Sequence, residues 1–515
     1  MLTLRDVRVW DTDEVIDVVV DAPEAGRTLI EADSVIEGDV DASGLTLAPG
    51  LADPHVHFRD LEQCDKETML TGSQAAAAGG YTDVLVMPNT RPKADARRLR
   101  PDESCALGDE RCAREGSAAD EHEGVQTNAA DSAEKGEGRQ SDALSRPWND
   151  LEVTSVLDYL DRYESLRGVR LPVDYALSIC ASSGMGPHAV SAHEIAGFAS
   201  LRHRLAAITD DGAAIAPQML DDVLSTAKHV GLPVLEHCEH HDSGVMNEGT
   251  VNRELGVEGI PASTELDIVE RDIEAVRHNL VHLHFQHVST AGAFEAVRRA
   301  KAEGLPVTCE TAPHYLALCD EDVRRYGAMA KMNPPLRSQA DMEAAVRAVA
   351  DGTVDMIATD HAPHTAAQKA AGLIDAPNGI VGLETAYGVC HKVLVDAGVI
   401  TERRLVELMS VAPMRLMGGH ECDIDELLGR TTGVPTCKRT LDLRIARRRQ
   451  RANLTVIDTN AEWTVDAGSF HSKARNTPFG GWRLTGRPLA TILDGKLCMS
   501  RLPVARIRSG TVEVR

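Results

Sequence analysis

Residues 293–310 read AFEAVRRAKAEGLPVTCE: an amphipathic helix, a turn at Gly304, and a short apolar strand. The same unit recurs in DDVLSTAKHVGLPVLEH (221–237), ELDIVERDIEAVRHNLVHLHFQH (265–287) and MEAAVRAVADGTVDMIATD (342–360). An earlier copy begins with KETMLTGSQAAAA (66–78), stops at Gly79-Gly80 and continues as the buried strand TDVLVMP. Helix and strand alternating in series argue for a parallel sheet, and this many copies favour a (β/α)8 TIM-like barrel over an open doubly wound sheet.

Outward from this core the pattern changes. Residues 1–50 contain short alternating segments, LTLRDVRVW, EVIDVVVDA, RTLIEADSVIEG and GLTLAPG. Residues 452–515 resemble them, with ANLTVID, LATILDG and ARIRSGTVEVR. The expectation is one small β domain built from both chain termini, flanking a barrel over 51–420. Residues 93–148 are rich in Ala, Glu, Asp, Ser, Gly and Arg with few large apolar side chains, the composition of a disordered insertion. Residues 421–451, which include the basic run LDLRIARRRQR, read as a second surface insertion or a linker.

Bulk composition narrows the function classes. The chain has 515 residues and a formal net charge of −25, which argues against nucleic acid as the main partner. No run of about 18–20 apolar residues offers a membrane span, and the charged start MLTLRDVRVW lacks a secretory pattern, so a cytoplasmic protein is expected. Aromatic residues are only 3% of the chain, so aliphatic packing must dominate the core. The 11 scattered cysteines form no C-x-x-C pair and read as reduced thiols.

The chemistry concentrates at strand ends. GLADPHVHFRD (50–60) carries His55 and His57 two apart, a spacing that puts both imidazoles on one side of a strand. Three later strands close on His237, His287 and Asp360. Barrel enzymes build their sites at the C-terminal ends of the strands. A set of imidazoles and carboxylates without thiolate suits zinc and disfavours a structural zinc finger.

In this order, PHVHFRD, MPNTRP, TDDG, EHCE, HVST, MNPPLR, ATDHAPH and GIVGLET resemble the signature segments of class I, bacterial-type dihydroorotases of the zinc-dependent amidohydrolase superfamily. The likeness covers residues 44–420 and returns weakly near 452–500. Hydantoinases and allantoinases share several of these motifs, but the hydantoinases bridge two metals with a carbamylated lysine near the end of the fourth strand. No lysine lies between Arg170 and Asp211, and AAITDDG stands in that place. The resemblance assigns Asp211 as ligand, with Asp210 as the fallback.

The resemblance thus implies one or two Zn2+ ions held by His55, His57, Asp211, His237, His287 and Asp360. It gives Asp360 a second role as proton shuttle. It further assigns Arg59, Asn89 and His364 to a substrate carboxylate, and Asn333 with the backbone of Asn378-Gly379 to a pyrimidine ring. The implied reaction is reversible hydrolysis of the cyclic amide of dihydroorotate to N-carbamoyl-aspartate. Zinc suits it because a coordinated water falls to a pKa of about 7. The chain departs from the pattern in two places: Leu61-Glu62-Gln63 stands where Pro-Gly is common, and Asn378-Gly379 where Phe-Gly is.

The alternatives are a hydantoinase- or allantoinase-like hydrolase, or a non-catalytic homologue scaffolding aspartate carbamoyltransferase. Expected partners are the small-molecule substrate, aspartate carbamoyltransferase, and a second copy of the chain in a homodimer.

Overall fold

The computed structural model describes residues 1–98, 151–182, 186–240, 243–429 and 438–509. Its centre is a sheet of eight parallel strands: Leu51–Val56, Tyr81–Val86, Asp174–Ile179, Leu205–Ile208, Val234–His237, Leu283–Gln286, Val307–Thr311 and Met356–Ile357. They neighbour one another in chain order, which is the (β/α)8 arrangement expected from the repeats.

The repeat 293–310 shows why each unit forms. Thr290 caps the helix Ala291–Ala302 by accepting a hydrogen bond from the Ala293 amide. Phe294, Val297 and Ala300, three apart, are buried on the barrel side of this helix, while Arg299 and Lys301 occupy its last turn, where cations suit the helix dipole. Gly304, at φ +81°, turns the chain back into the strand Val307–Thr311 without the penalty a Cβ would carry there. Burying a side chain such as Phe294 stabilises the fold by roughly 1.5–3 kcal/mol. The core of the barrel is mostly Val, Leu, Ile and Ala.

The eighth strand spans only two residues, and its seam with the first is held mainly by a side chain. The buried Asp53 carboxylate accepts the amides of His55 (3.1 Å) and Thr359 (3.2 Å). Beyond it, Val56 pairs with His361 in one isolated bridge, and the His57 amide donates to the His361 carbonyl at 3.0 Å. Asp360 has φ +46°, so the backbone leaves the β region just where it enters the mouth of the barrel.

Strands from both termini form a second sheet. Its order is Thr440–Asp442, Val15–Val20, Leu2–Val9, Thr46–Pro49, Leu454–Thr464, Arg483–Leu493, Lys496–Ser500 and Leu29–Ile30. Gly38–Asp41 pairs with Leu2–Val9, and Ile507–Ser509 with Gly38–Asp41. The N- and C-terminal halves join where Thr46–Pro49 runs antiparallel to Leu454–Thr464.

Two boundaries differ from the sequence reading. Residues 421–451 are not a free surface insertion over their described part. Thr440–Asp442 pairs with Val15–Val20, and Ile424, Leu427, Leu441, Leu443 and Ala446 join the terminal core. The arginine run hid this, because its apolar residues are interleaved with exposed charge such as Arg444, which pairs with Asp442. The insertion read from Lys93 is also packed at its start. Ala94 is fully buried, donating its amide to the Pro88 carbonyl and accepting from the Cys180 amide. Residues 99–148 lie outside the described residues.

No disulfide joins cysteines among the described residues. No described helix is long and apolar enough to cross a membrane.

Candidate metal centre and substrate cavity

The strand ends bring the six nominated ligand residues to one place at the C-terminal mouth of the barrel. His55 and His57 rise from the first strand, as the two-residue spacing requires. His55 Nε2 lies 3.1 Å from Asp211 Oδ1 and 3.5 Å from Asp360 Oδ1. His57 Nε2 lies 3.0 Å from Asp360 Oδ1 and 3.5 Å from Asp211 Oδ2. His237 Nδ1 is 3.6 Å from Asp211 Oδ1 and 2.8 Å from His287 Nε2. Two triads, His55–Asp211–His287 and His55–His57–Asp360, each place their donor atoms within 4.8 Å of one another. Of the Asp210-Asp211 pair, Asp211 faces this cluster. Asp210 turns away to accept from the Ser182 amide at 3.1 Å and its hydroxyl at 2.6 Å.

These separations fit a divalent ion. Tetrahedral bonds of about 2.0–2.2 Å put ligand atoms about 3.4 Å apart. The imidazole orientations fit as well. His55 directs Nδ1 to Glu310 Oε1 at 2.7 Å, and His57 directs Nδ1 to Asn89 Oδ1 at 2.9 Å. Each Nδ1 proton is thereby taken up, leaving Nε2 as a lone-pair donor toward the cluster. His55 Nε2 is buried without a hydrogen-bond partner among the described residues, and so is His287 Nδ1.

Burial alone would push the Asp211 and Asp360 carboxyls up. The nearby His55 and His57 outweigh it, and both acids are held well below the usual carboxylate range. Burial, reinforced by His237, pushes His287 down to about 3, so it stands as a neutral ligand-type imidazole.

A cavity of about 180 Å³ opens over this cluster. His57, Asp211, His237, His287 and Asp360 form its floor, and Arg59, Asn89, Asn333, Asn378 and Gly379 line its walls. Arg59, at φ +53°, follows His57 onto the rim; its Nε has no hydrogen-bond partner among the described residues, and burial draws its pKa down to about 10. Asn89 is committed on two sides, accepting from His57 and donating to Asp211 Oδ2 at 2.9 Å, so it braces the ligands as well as facing the cavity. Asn333 Nδ2 sits 3.4 Å from His237 Nε2. His364 stands just behind the wall, its Nε2 donating to the Asn378 carbonyl at 2.7 Å. Gly379, at φ +151°, presses so close that a Cβ would lie 2.5 Å from the Ala362 carbonyl oxygen and 2.7 Å from His364 Cδ2.

Residues 46–421 match the model of the Amidohydrolase family. The chain belongs to this family. Among curated relatives, this amidohydrolase is 34% identical to the dihydroorotase of Citrifermentans bemidjiense over 505 residues, covering 96% of this chain and 99% of that one. It is 38% identical to the dihydroorotase of Anaeromyxobacter dehalogenans over 465 residues, covering 89% and 87% of the two chains. Among solved structures it resembles the L-hydantoinase (dihydropyrimidinase) of Arthrobacter aurescens, with a TM-score of 0.66, 21% identity and coverage of 98% and 97%. At that identity the likeness speaks to the fold.

The amidohydrolase site also holds groups the sequence reading missed. Glu310 lies near the end of the seventh strand and is fully buried between His55 Nδ1 and His284 Nε2, the latter at 3.0 Å. Burial pushes its carboxyl up, but these two imidazoles prevail and bring it to about 2. Gln286, next to His287 but on the barrel interior, places its Nε2 3.2 Å from His55 Nδ1. The available signal for Glu310 was its place at the end of VTCE, the same position in the repeat that nominated His237 and Asp360.

An anionic partner that orients a ligating imidazole typically carries 10–100-fold in metal affinity. Glu310→Gln should therefore weaken divalent-metal binding by about that factor in a chelator competition. An unchanged affinity would mean that Glu310 merely fills the barrel interior.

Proposed function

We propose that this amidohydrolase is a dihydroorotase, catalysing reversible hydrolysis of the cyclic amide of dihydroorotate to N-carbamoyl-aspartate with Zn2+, one or two ions. The observation that carries this reading is the single cavity in which the histidine–aspartate floor meets the Arg59 rim. One end of the cavity suits metal-assisted attack on an amide and the other suits a carboxylate. The full-length relationship to dihydroorotases supports the same substrate.

His55, His57, Asp211, His237, His287 and Asp360 would hold the metal, which supplies Lewis acidity and an activated water at neutral pH. Asp360 is ionised beside His57, so it can take the proton of the attacking water and deliver it to the departing ring nitrogen. Arg59 offers a charged, incompletely paired guanidinium to the substrate carboxylate. Asn333 and the backbone at Asn378-Gly379 wall the ring, and because Asn378 brings no aromatic ring to that wall, the ring is held by polar contacts there. In the ring-closing direction the same groups run in reverse.

The test combines a metal assay with turnover of dihydroorotate, dihydrouracil, hydantoin and allantoin. Zinc-bound protein should favour dihydroorotate. Preference for hydantoin or allantoin would move the reading to a related cyclic amidohydrolase, and no turnover with zinc bound would move it to a scaffold for aspartate carbamoyltransferase. Gel filtration with and without that enzyme addresses the expected complex and the homodimer. A cytoplasmic location is part of the same reading.

A further inference from the structure

Part of the wall of the cavity is made of two loops. One follows the eighth strand (Asp360–His364) and the other is Asn378–Val381. They are joined by the Ala362 amide donating to the Ile380 carbonyl at 3.0 Å and by His364 Nε2 donating to the Asn378 carbonyl at 2.7 Å. These two bonds flank Gly379 on either side.

That junction is closed from the C-terminal part of the chain, far away in sequence. The side chain of Asn476 is 2% exposed, and its amide is used in three directions. Its Oδ1 accepts the His364 amide at 3.1 Å, and its Nδ2 donates to the carbonyls of Ala362 and Gly379, each at 3.0 Å. Its own carbonyl accepts the Val381 amide at 3.0 Å. None of these bonds reaches the histidine–aspartate cluster.

The segment carrying Asn476 is itself anchored. The Ser472 hydroxyl donates to the buried Glu67 carboxylate, which also faces His361 Nε2 at 3.4 Å. The amides of His471 and Ser472 donate to Glu384 at 2.8 and 3.1 Å. Asn476 therefore enters the junction from a fixed support, and its planar amide sets how far apart the two loops stand.

We propose that Asn476 is a positioning residue for substrate recognition: by tying Ala362, His364 and Gly379 to one amide, it sets the spacing of the wall that receives the ring and carboxylate of the substrate. The proposal rests on the dihydroorotase reading for the identity of the ligand, but its structural half does not. No smaller side chain reproduces the amide's two donors and one acceptor. Without them the Ala362 and Gly379 carbonyls and the His364 amide lose this partner.

The test uses the full-length, zinc-loaded protein and two variants. Asn476→Ala removes all three bonds. Asn476→Asp keeps the shape and the acceptor for His364 but sets an oxygen against two carbonyl oxygens. Each should raise KM for dihydroorotate by about tenfold or more while kcat falls less than about threefold, with zinc content unchanged. A KM within about twofold of wild type in a folded variant would overturn the proposal. So would parallel loss of kcat and zinc, which is the signature of general damage.

Amide exchange gives a readout independent of turnover. In Asn476→Ala the His364 amide should exchange about tenfold faster, and full retention of its protection would equally overturn the proposal. If wild type turned over no dihydroorotate, the functional reading alone would fall, and the exchange result would still decide whether Asn476 positions the wall.

Discussion

Asp360→Asn should leave the fold intact and lower hydrolysis of dihydroorotate by on the order of 10²–10⁴-fold, the usual worth of a positioned general acid–base group. The reason lies in where Asp360 sits. Its Oδ1 is 3.0 Å from His57 Nε2 and 3.5 Å from His55 Nε2, and those imidazoles hold the buried carboxyl in its ionised form. A neutral amide has the same shape but cannot accept the water's proton and is a poor metal ligand. Circular dichroism and melting should therefore resemble wild type while turnover collapses. A variant keeping more than about a tenth of wild-type turnover would remove Asp360 from the proton path.

Arg59→Met should act on binding and should discriminate between substrates. Methionine keeps much of the buried stem and deletes the guanidinium, whose Nε is free of protein partners among the described residues. The loss for dihydroorotate and N-carbamoyl-aspartate should be about 2–5 kcal/mol, or roughly 30- to 5,000-fold in affinity, if the carboxylate pair is desolvated. Uncharged dihydrouracil, with no carboxylate to lose, should change little. Equal impairment of both substrates would show that Arg59 does not read a carboxylate, and the hydantoinase-like alternative would then lead. The contrast with Asp360→Asn is one of kind: one variant fails at the chemical step and the other at recognition.

The sequence by itself determined the features that depend on local periodicity. Repeats such as 293–310 carry their own helix face, turn and strand, so the barrel was legible without any long-range information. The two-residue spacing of His55 and His57, and the placement of His237, His287 and Asp360 at strand ends, foretold that these side chains would share one mouth. Sequence resemblance, rather than spacing, nominated Asp211 and the substrate wall, and between Asp210 and Asp211 only the fold distinguished. Both lie in the same turn, and which one points inward depends on Ser182, brought near by the neighbouring third strand.

Tertiary structure alone decided the contacts that join residues remote in the chain. Glu310 became the partner of His55 because the barrel's curvature sets the seventh strand's end beneath the first, not through any local pattern. Thr440–Asp442 joined the terminal sheet although its surroundings are basic and polar, because strand pairing uses backbone groups that the side-chain pattern does not reveal. Asn476 shows the same principle most directly. Nothing in its neighbourhood marks it as part of the cavity wall, and its role exists only because chain closure brings one amide against three backbone groups more than 90 residues away.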